Sequence, residues 1–387
     1  MFSLLLAIIY IAFISLGLPD SLLGSGWTTM SAEIGVPISY AGIISMIIAG
    51  GTIISSLMSD RLTKRMGAGL VTAVSVLMTA AAMFGFSVAG SFWTLCLLAI
   101  PYGLGAGAID AALNNYVANH YASRHMSWLH CFWGVGASIS PYIMGYSLAR
   151  TGWRNGYGTV ALIQMIFTTV MFLSLPLWKD KKNIIKKQTD TQVLGLRGVL
   201  RISGVGYVLF AFFAYCAMEA TAGLWAASFL ELWKGADKAA AANFASFFYL
   251  GITFGRFLSG FVTDKIGDRG MIRIGAAIIL IGITAMLLPT EAVEISLAGL
   301  LVIGFGCAPV YPAIIHATPA NFGRENSQAV IGVQMASAYV GSTFMPPLFG
   351  LIAENINIGL YPAYLLIFAV ILLIMTEILN KKVRNFI

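Results

Sequence analysis

The chain has 387 residues, of which 58% are hydrophobic and 10% charged, with a mean hydropathy of +0.84 and a net charge of +7. Soluble domains carry about a quarter charged residues, so this composition excludes a water-soluble globular protein. No phosphate-binding loop, paired-cysteine motif or metal-ligand spacing occurs in the sequence, so no enzymatic centre, cofactor or metal is expected.

A helix needs about 20 mostly apolar residues to cross a membrane. Twelve apolar runs follow one another at 3–26, 39–60, 68–89, 92–118, 126–149, 156–177, 202–230, 239–263, 271–289, 295–318, 327–353 and 358–379. The first has no basic residue before it and continues past Pro19 and Asp20 without a small-residue cleavage pattern. It is expected to be a retained helix, not a signal peptide. Cys96, Cys131, Cys216 and Cys307 stand singly inside apolar runs, as packing residues do. The longest polar connection, 179–201, divides the chain into two halves, 1–178 and 202–387. The predicted fold class is an all-α membrane protein with twelve transmembrane helices in two pseudo-symmetric halves of six.

Cytoplasmic loops retain Lys and Arg. With the N-terminus inside, the inner connections hold Arg61, Lys64 and Arg65; Arg124; Lys179, Lys181, Lys182, Lys186, Lys187, Arg197 and Arg201; Lys265, Arg269 and Arg273; and Arg324. The C-terminal tail adds Lys381, Lys382 and Arg384. Only Arg150, Arg154, Lys234 and Lys238 fall outside, and Arg256 lies within a run. Both termini are therefore expected in the cytoplasm of a cell-membrane protein. The excess charge attracts anionic inner-leaflet lipid, so the basic balance calls for no nucleic-acid partner.

The two halves repeat one another. Gly51, Asp60 and Arg65 recur 204 residues later as Gly255, Asp264 and Arg269, each set between the second and third run of its half. Gly103 and Gly105 of the fourth run are echoed by Gly304 and Gly306 of the tenth. Parallel six-helix repeats are a known transporter plan. The Asp60, Arg61, Arg65 motif and its copy at Asp264 and Arg269 are predicted to latch a gate, a carboxylate holding basic groups and a helix end in one conformation and releasing them in another. The plainer alternative is ordinary positive-inside flanking charge. Arg256 is expected to reach down to the same cluster.

Asp20, Asp110 and Glu219 lie deep in apolar runs. Charge at that depth is costly and marks ion or proton pathways, so the three are candidate proton-coupling groups. For Asp20 a structural role beside a helix broken at Gly17 and Pro19 is the alternative. Asp110 and Asn114 share one helical face and Asn115 follows, while His130 and Trp133 lie three apart in the fifth run. A carboxylate and amides beside an indole suit a hydroxyl-rich solute. Trp225, Tyr249, Tyr311 and Gln334 are the corresponding candidates in the second half.

The stretch from Asp110 to Pro141, with Leu129, His130, Gly134, Gly136 and Ala137, resembles the sugar-porter branch of the major facilitator superfamily that contains fucose permease and the sodium-dependent glucose transporter-like proteins. The resemblance implies that Asp20 is the helix 1 carboxylate and Asp110 the helix 4 acid of proton coupling and sugar contact. It departs at Asp110, where fucose permease has glutamate, and at Gly17 and His130, where that family has amides. The expected protein is a monomeric proton-coupled symporter of a neutral sugar. Sodium coupling, drug or lipid-like efflux by antiport, and a non-transporting nutrient sensor are the alternatives.

Overall fold

The computed structural model describes residues 4–181, 194–236, 238–290 and 292–384. Lys182, Lys186 and Lys187 of the basic connection lie outside the described residues. The described residues form helices and no β-strand: α1 (Leu4–Gly17), α2 (Leu22–Ile34), α3 (Ala41–Met66), α4 (Ala68–Val88), α5 (Phe92–His120), α6 (Ser123–Arg150) and α7 (Trp153–Ser174), then α8 (Leu196–Arg201), α9 (Val205–Leu232), α10 (Lys238–Ile266), α11 (Asp268–Leu287), α12 (Val293–His316), α13 (Thr318–Phe322), α14 (Arg324–Ile352) and α15 (Tyr361–Arg384). Leu4–Trp27, α1 with the first part of α2, forms the first span, and α3 to α7, α9 to α12, α14 and α15 supply the other eleven. By length and apolarity alone, nine stretches qualify among the described residues, one of which, Arg324–Val383, holds two helices. The two helices that fail the test are α6 and α10, which carry His130 and Arg256 in their interiors. Twelve is the count the fold supports, because polar side chains inside a bundle lower mean hydropathy without preventing a span.

The chain divides into two compact units, Met1–Tyr116 with Leu129–Gly195, and Val117–Trp128 with Leu196–Ile387. In the first, α4 packs on α7, and in the second α12 packs on α10 and α11 while α14 packs on α9. The glycine echo read in the sequence is a pair of helix contacts. A Cβ on Gly103 would meet the Ile48 carbonyl oxygen of α3, and one on Gly304 would meet the Phe248 carbonyl oxygen of α10. Only a residue without a side chain lets these backbones approach so closely, the usual device of helix association in lipid.

Large apolar side chains such as Phe84, Trp93, Leu97 and Leu173 are turned outward, as a lipid-facing surface requires. At Pro346 and Pro347 of α14, Trp225 Nε1 donates to the Pro346 carbonyl at 2.9 Å and the Tyr364 hydroxyl to that of Met345 at 2.9 Å. At one end of the first unit, Arg154 pairs with Glu33, donates to the Ala89 carbonyl at 3.1 Å and lies over the Trp153 ring, whose Nε1 donates to Glu33 at 2.6 Å. This clasp holds Glu33 below the usual carboxylate range, through its bonds to Arg154 and then Trp153.

Candidate functional site

The first unit carries an exposed acid in the break between α1 and α2. Pro19 lacks an N–H and disfavours helix in the residue before it, so α1 stops at Gly17 and leaves carbonyls without helical partners. Ser140 of α6 donates to the Leu18 carbonyl, and Ser21 donates to the Ala137 carbonyl at 2.5 Å. A Cβ on Gly17 would meet the Trp133 carbonyl oxygen, so this glycine brings the broken span directly against α6. Asp20 thereby faces two donors: the Tyr102 hydroxyl of α5 at 2.7 Å and Trp133 Nε1 of α6 at 2.9 Å. Asp20 is exposed and Trp133 half-buried, so a solute can reach a carboxylate that neutral donors hold.

Asp110 lies eight residues along α5 from Tyr102, about 12 Å at the helical rise. Asn114 Nδ2 donates to Asp110 Oδ1 at 2.7 Å, and Asn114 Oδ1 lies 3.0 Å from His130 Nε2. With the amide so placed, the oxygen accepts and His130 Nε2 carries the proton. Phe13 of α1 meets the imidazole edge-on at 5.3 Å between centroids. Asp110, Asn114 and His130 are buried, at 4%, 0% and 5% exposure, so a solute touches them only if they are uncovered. Asn115 is half-buried and points about 100° round the helix from Asn114. Because Trp133 stands one turn from His130 on α6, the polar groups continue from Asp20 to Asp110 along the facing sides of α5 and α6.

In the second unit, Glu219 of α9 accepts from Arg256 Nη2 of α10 at 3.2 Å. This corrects the expectation that Arg256 joins the Asp264 cluster. Asp264 is eight residues on, about 12 Å along the axis, whereas Glu219 is adjacent, and a guanidinium at depth is costly without a counter-charge. Tyr215 donates to the Cys307 carbonyl at 2.9 Å, and half-buried Tyr311 packs on Phe212 with centroids 4.7 Å apart, its hydroxyl 3.3 Å from Met335 Sδ. Tyr249 is exposed and places its hydroxyl where a Cβ of Gly223 would lie. The other two candidates are not drawn into this group. Trp225 donates to the Pro346 carbonyl inside α14, and Gln334, fully buried, accepts from Thr318 at 2.9 Å.

The carboxylates of the two motifs take basic partners other than the arginines of their own motifs. Asp60 binds Lys64 at 3.0 Å and accepts from the Leu194 N–H at 3.2 Å, while Arg61 and Arg65 are exposed. A residue four along a helix shares its neighbour's face, whereas one or five along does not. Asp264 pairs with Arg124, accepting from its side chain and, at 3.0 Å, from its backbone N–H; the half-buried Arg269 is not part of that pair. Beside it, Asp268 accepts from the Ser123 hydroxyl at 2.5 Å and meets His316 Nδ1 at 2.7 Å. Sequence reading missed Tyr102, Lys64, Ser123 and His316. Only Lys64, at four-residue spacing from Asp60, carried a local signal.

The family model of the Major Facilitator Superfamily matches residues 9–235 and 207–379. The "Cis,cis-muconate transport protein" of Acinetobacter baylyi is 25% identical over 370 residues, covering 91% of this chain and 87% of that protein. The "Glucose/mannose transporter GlcP" of Bacillus subtilis is 21% identical over 292 residues, covering 73% and 70%. In fold, the chain resembles the E. coli fucose:proton symporter FucP, with a TM-score of 0.75, 14% identity and coverage of 97% of this chain and 98% of that one. With the matches spanning nearly its whole length, this chain belongs to the Major Facilitator Superfamily and is a multi-pass membrane transporter, not an enzyme.

Proposed function

We propose that this protein is a proton-coupled symporter of a small, hydroxyl-rich solute of the sugar class, working by alternating access in a cell membrane with both termini in the cytoplasm. The observation that carries the reading is the accessible Asp20 carboxylate held by Tyr102 and Trp133. A carboxylate at membrane depth held by neutral donors can accept a proton without breaking an ion pair. Beside it, the Trp133 indole offers a face for a sugar ring. The buried Asp110, Asn114 and His130 group extends the polar line inward and supports a second proton-holding position. Relatives named for glucose and mannose favour a sugar-like cargo. The repeats 1–178 and 202–387 act as the two moving halves, with Asp60 and Asp264 as latches.

Uptake of labelled hexoses into proteoliposomes under an imposed pH gradient tests the reading. Accumulation above equilibrium that an uncoupler abolishes is the expected result. Accumulation that survives the uncoupler but stops on sodium removal would overturn the proton assignment.

A further inference from the structure

We propose that Arg256 and Glu219 form an exchangeable carboxylate site, so that the transported solute is an acid of the sugar class whose carboxylate takes Glu219's place on Arg256. The inference rests on the reading of the chain as a carrier of hydroxyl-rich solutes and names the charge such a solute bears. A buried ion pair contributes little net stability compared with well-packed apolar residues, so helix packing alone does not account for one here. The pair is also unevenly covered: the Arg256 side chain is 6% exposed and that of Glu219 21%. Water or a solute therefore meets the glutamate first, with the guanidinium behind it.

Their contact, Nη2 to Oε1 at 3.2 Å, is longer than the roughly 2.7–2.9 Å of a strong charge-assisted bond. A guanidinium fork can bind a carboxylate through two parallel bonds, so a solute acid has a stronger geometry available than the resident one. Tyr215 lies one turn before Glu219 on α9, Tyr311 packs against Tyr215 with centroids 6.1 Å apart, and Tyr249 shares α10 with Arg256. The half-buried Tyr311 and the exposed Tyr249 are the rings of this group open to a small hydroxylated body, and the fully buried Tyr215 backs them. Exchange breaks one ion pair and makes another, so the arginine keeps a counter-charge throughout and Glu219 moves towards the accessible side.

The test uses the full chain in detergent, with hexuronic and aldonic acids each paired with its uncharged methyl ester and read by thermal stabilisation and competition. The acids should compete at concentrations about tenfold or more below their esters, the effect of one charge-assisted bond. Arg256→Gln should erase that preference, Arg256→Lys should keep part of it, and Glu219→Gln, lacking the internal competitor, should enlarge it. If Arg256→Gln does not fold, the last two variants decide. Acids no better than their esters, or a preference unmoved by Glu219→Gln, would overturn the site even if neutral hexoses are accumulated. Acids that outcompete esters without any proton-driven uptake would overturn the coupling reading and leave this site standing.

Discussion

The two units place an acid at matching positions and treat it in opposite ways. Gly136 of α6 abuts the Ile14 carbonyl and the Leu18 N–H, and Gly341 of α14, 205 residues on, abuts the Phe213 carbonyl and the Ala217 N–H, each 199 residues beyond its counterpart. The same offset carries Asp20 onto Glu219. Asp20 sits in a broken helix under Tyr102 and Trp133, whereas Glu219 sits in an unbroken one and is neutralised by Arg256. A duplicated scaffold thus fixes where a carboxylate stands, and the neighbours on the adjoining helices decide whether it can gain a proton or must hold a cation.

The largest effect that could break this contrast is at Asp20. Asp20→Asn should remove proton-driven accumulation entirely while solute exchange at equal pH persists; retained accumulation in vesicles would put the proton elsewhere. Asp110→Asn is expected to act the same way, although its polar neighbours are buried. Gly17→Ala sharpens the structural half of the comparison. It pushes a methyl into the Trp133 carbonyl and should lower stability by about 1–3 kcal/mol, as overpacking does, whereas Gly24→Ala, with nothing within 4 Å of the new atom, should leave the melting temperature in detergent unmoved.

His130→Ala should cost about 1–3 kcal/mol, because Asn114 is left buried without that partner, and should weaken solute affinity in a binding assay. The smallest effect belongs to the outer clasp. Glu33 has its carboxyl lowered in the folded protein, so the clasp stabilises at neutral pH and its contribution is lost as pH falls through that lowered value. Exposed pairs contribute at most about 1 kcal/mol. A thermal scan from neutral to acid pH should show a slightly shallower loss in Glu33→Gln than in the parent.

Much of the fold was legible because lipid imposes long apolar runs and because duplication leaves matched glycines and aspartates. The break at Pro19 and the facing of Asp110 and Asn114 followed from local rules. What could not be read was any bond between helices distant in sequence. Tyr102 reaches Asp20 across 82 residues and Arg256 reaches Glu219 across 37, and no spacing rule links such positions. The motif arginines are not the partners of Asp60 for a simpler reason: a motif written along the chain ignores which residues share a helical face, and Lys64 shares Asp60's.

The interruption at residues 18–21 has a mechanical consequence. Two short rods replace one long one, and the joint is riveted to α6 by Ser140 and Ser21 on either side of the acid. A change in what the Asp20 oxygens hold is therefore not dissipated as bending of the first span. It acts on α6 directly, because the Trp133 indole of that helix is one of the two partners and stands one turn from His130.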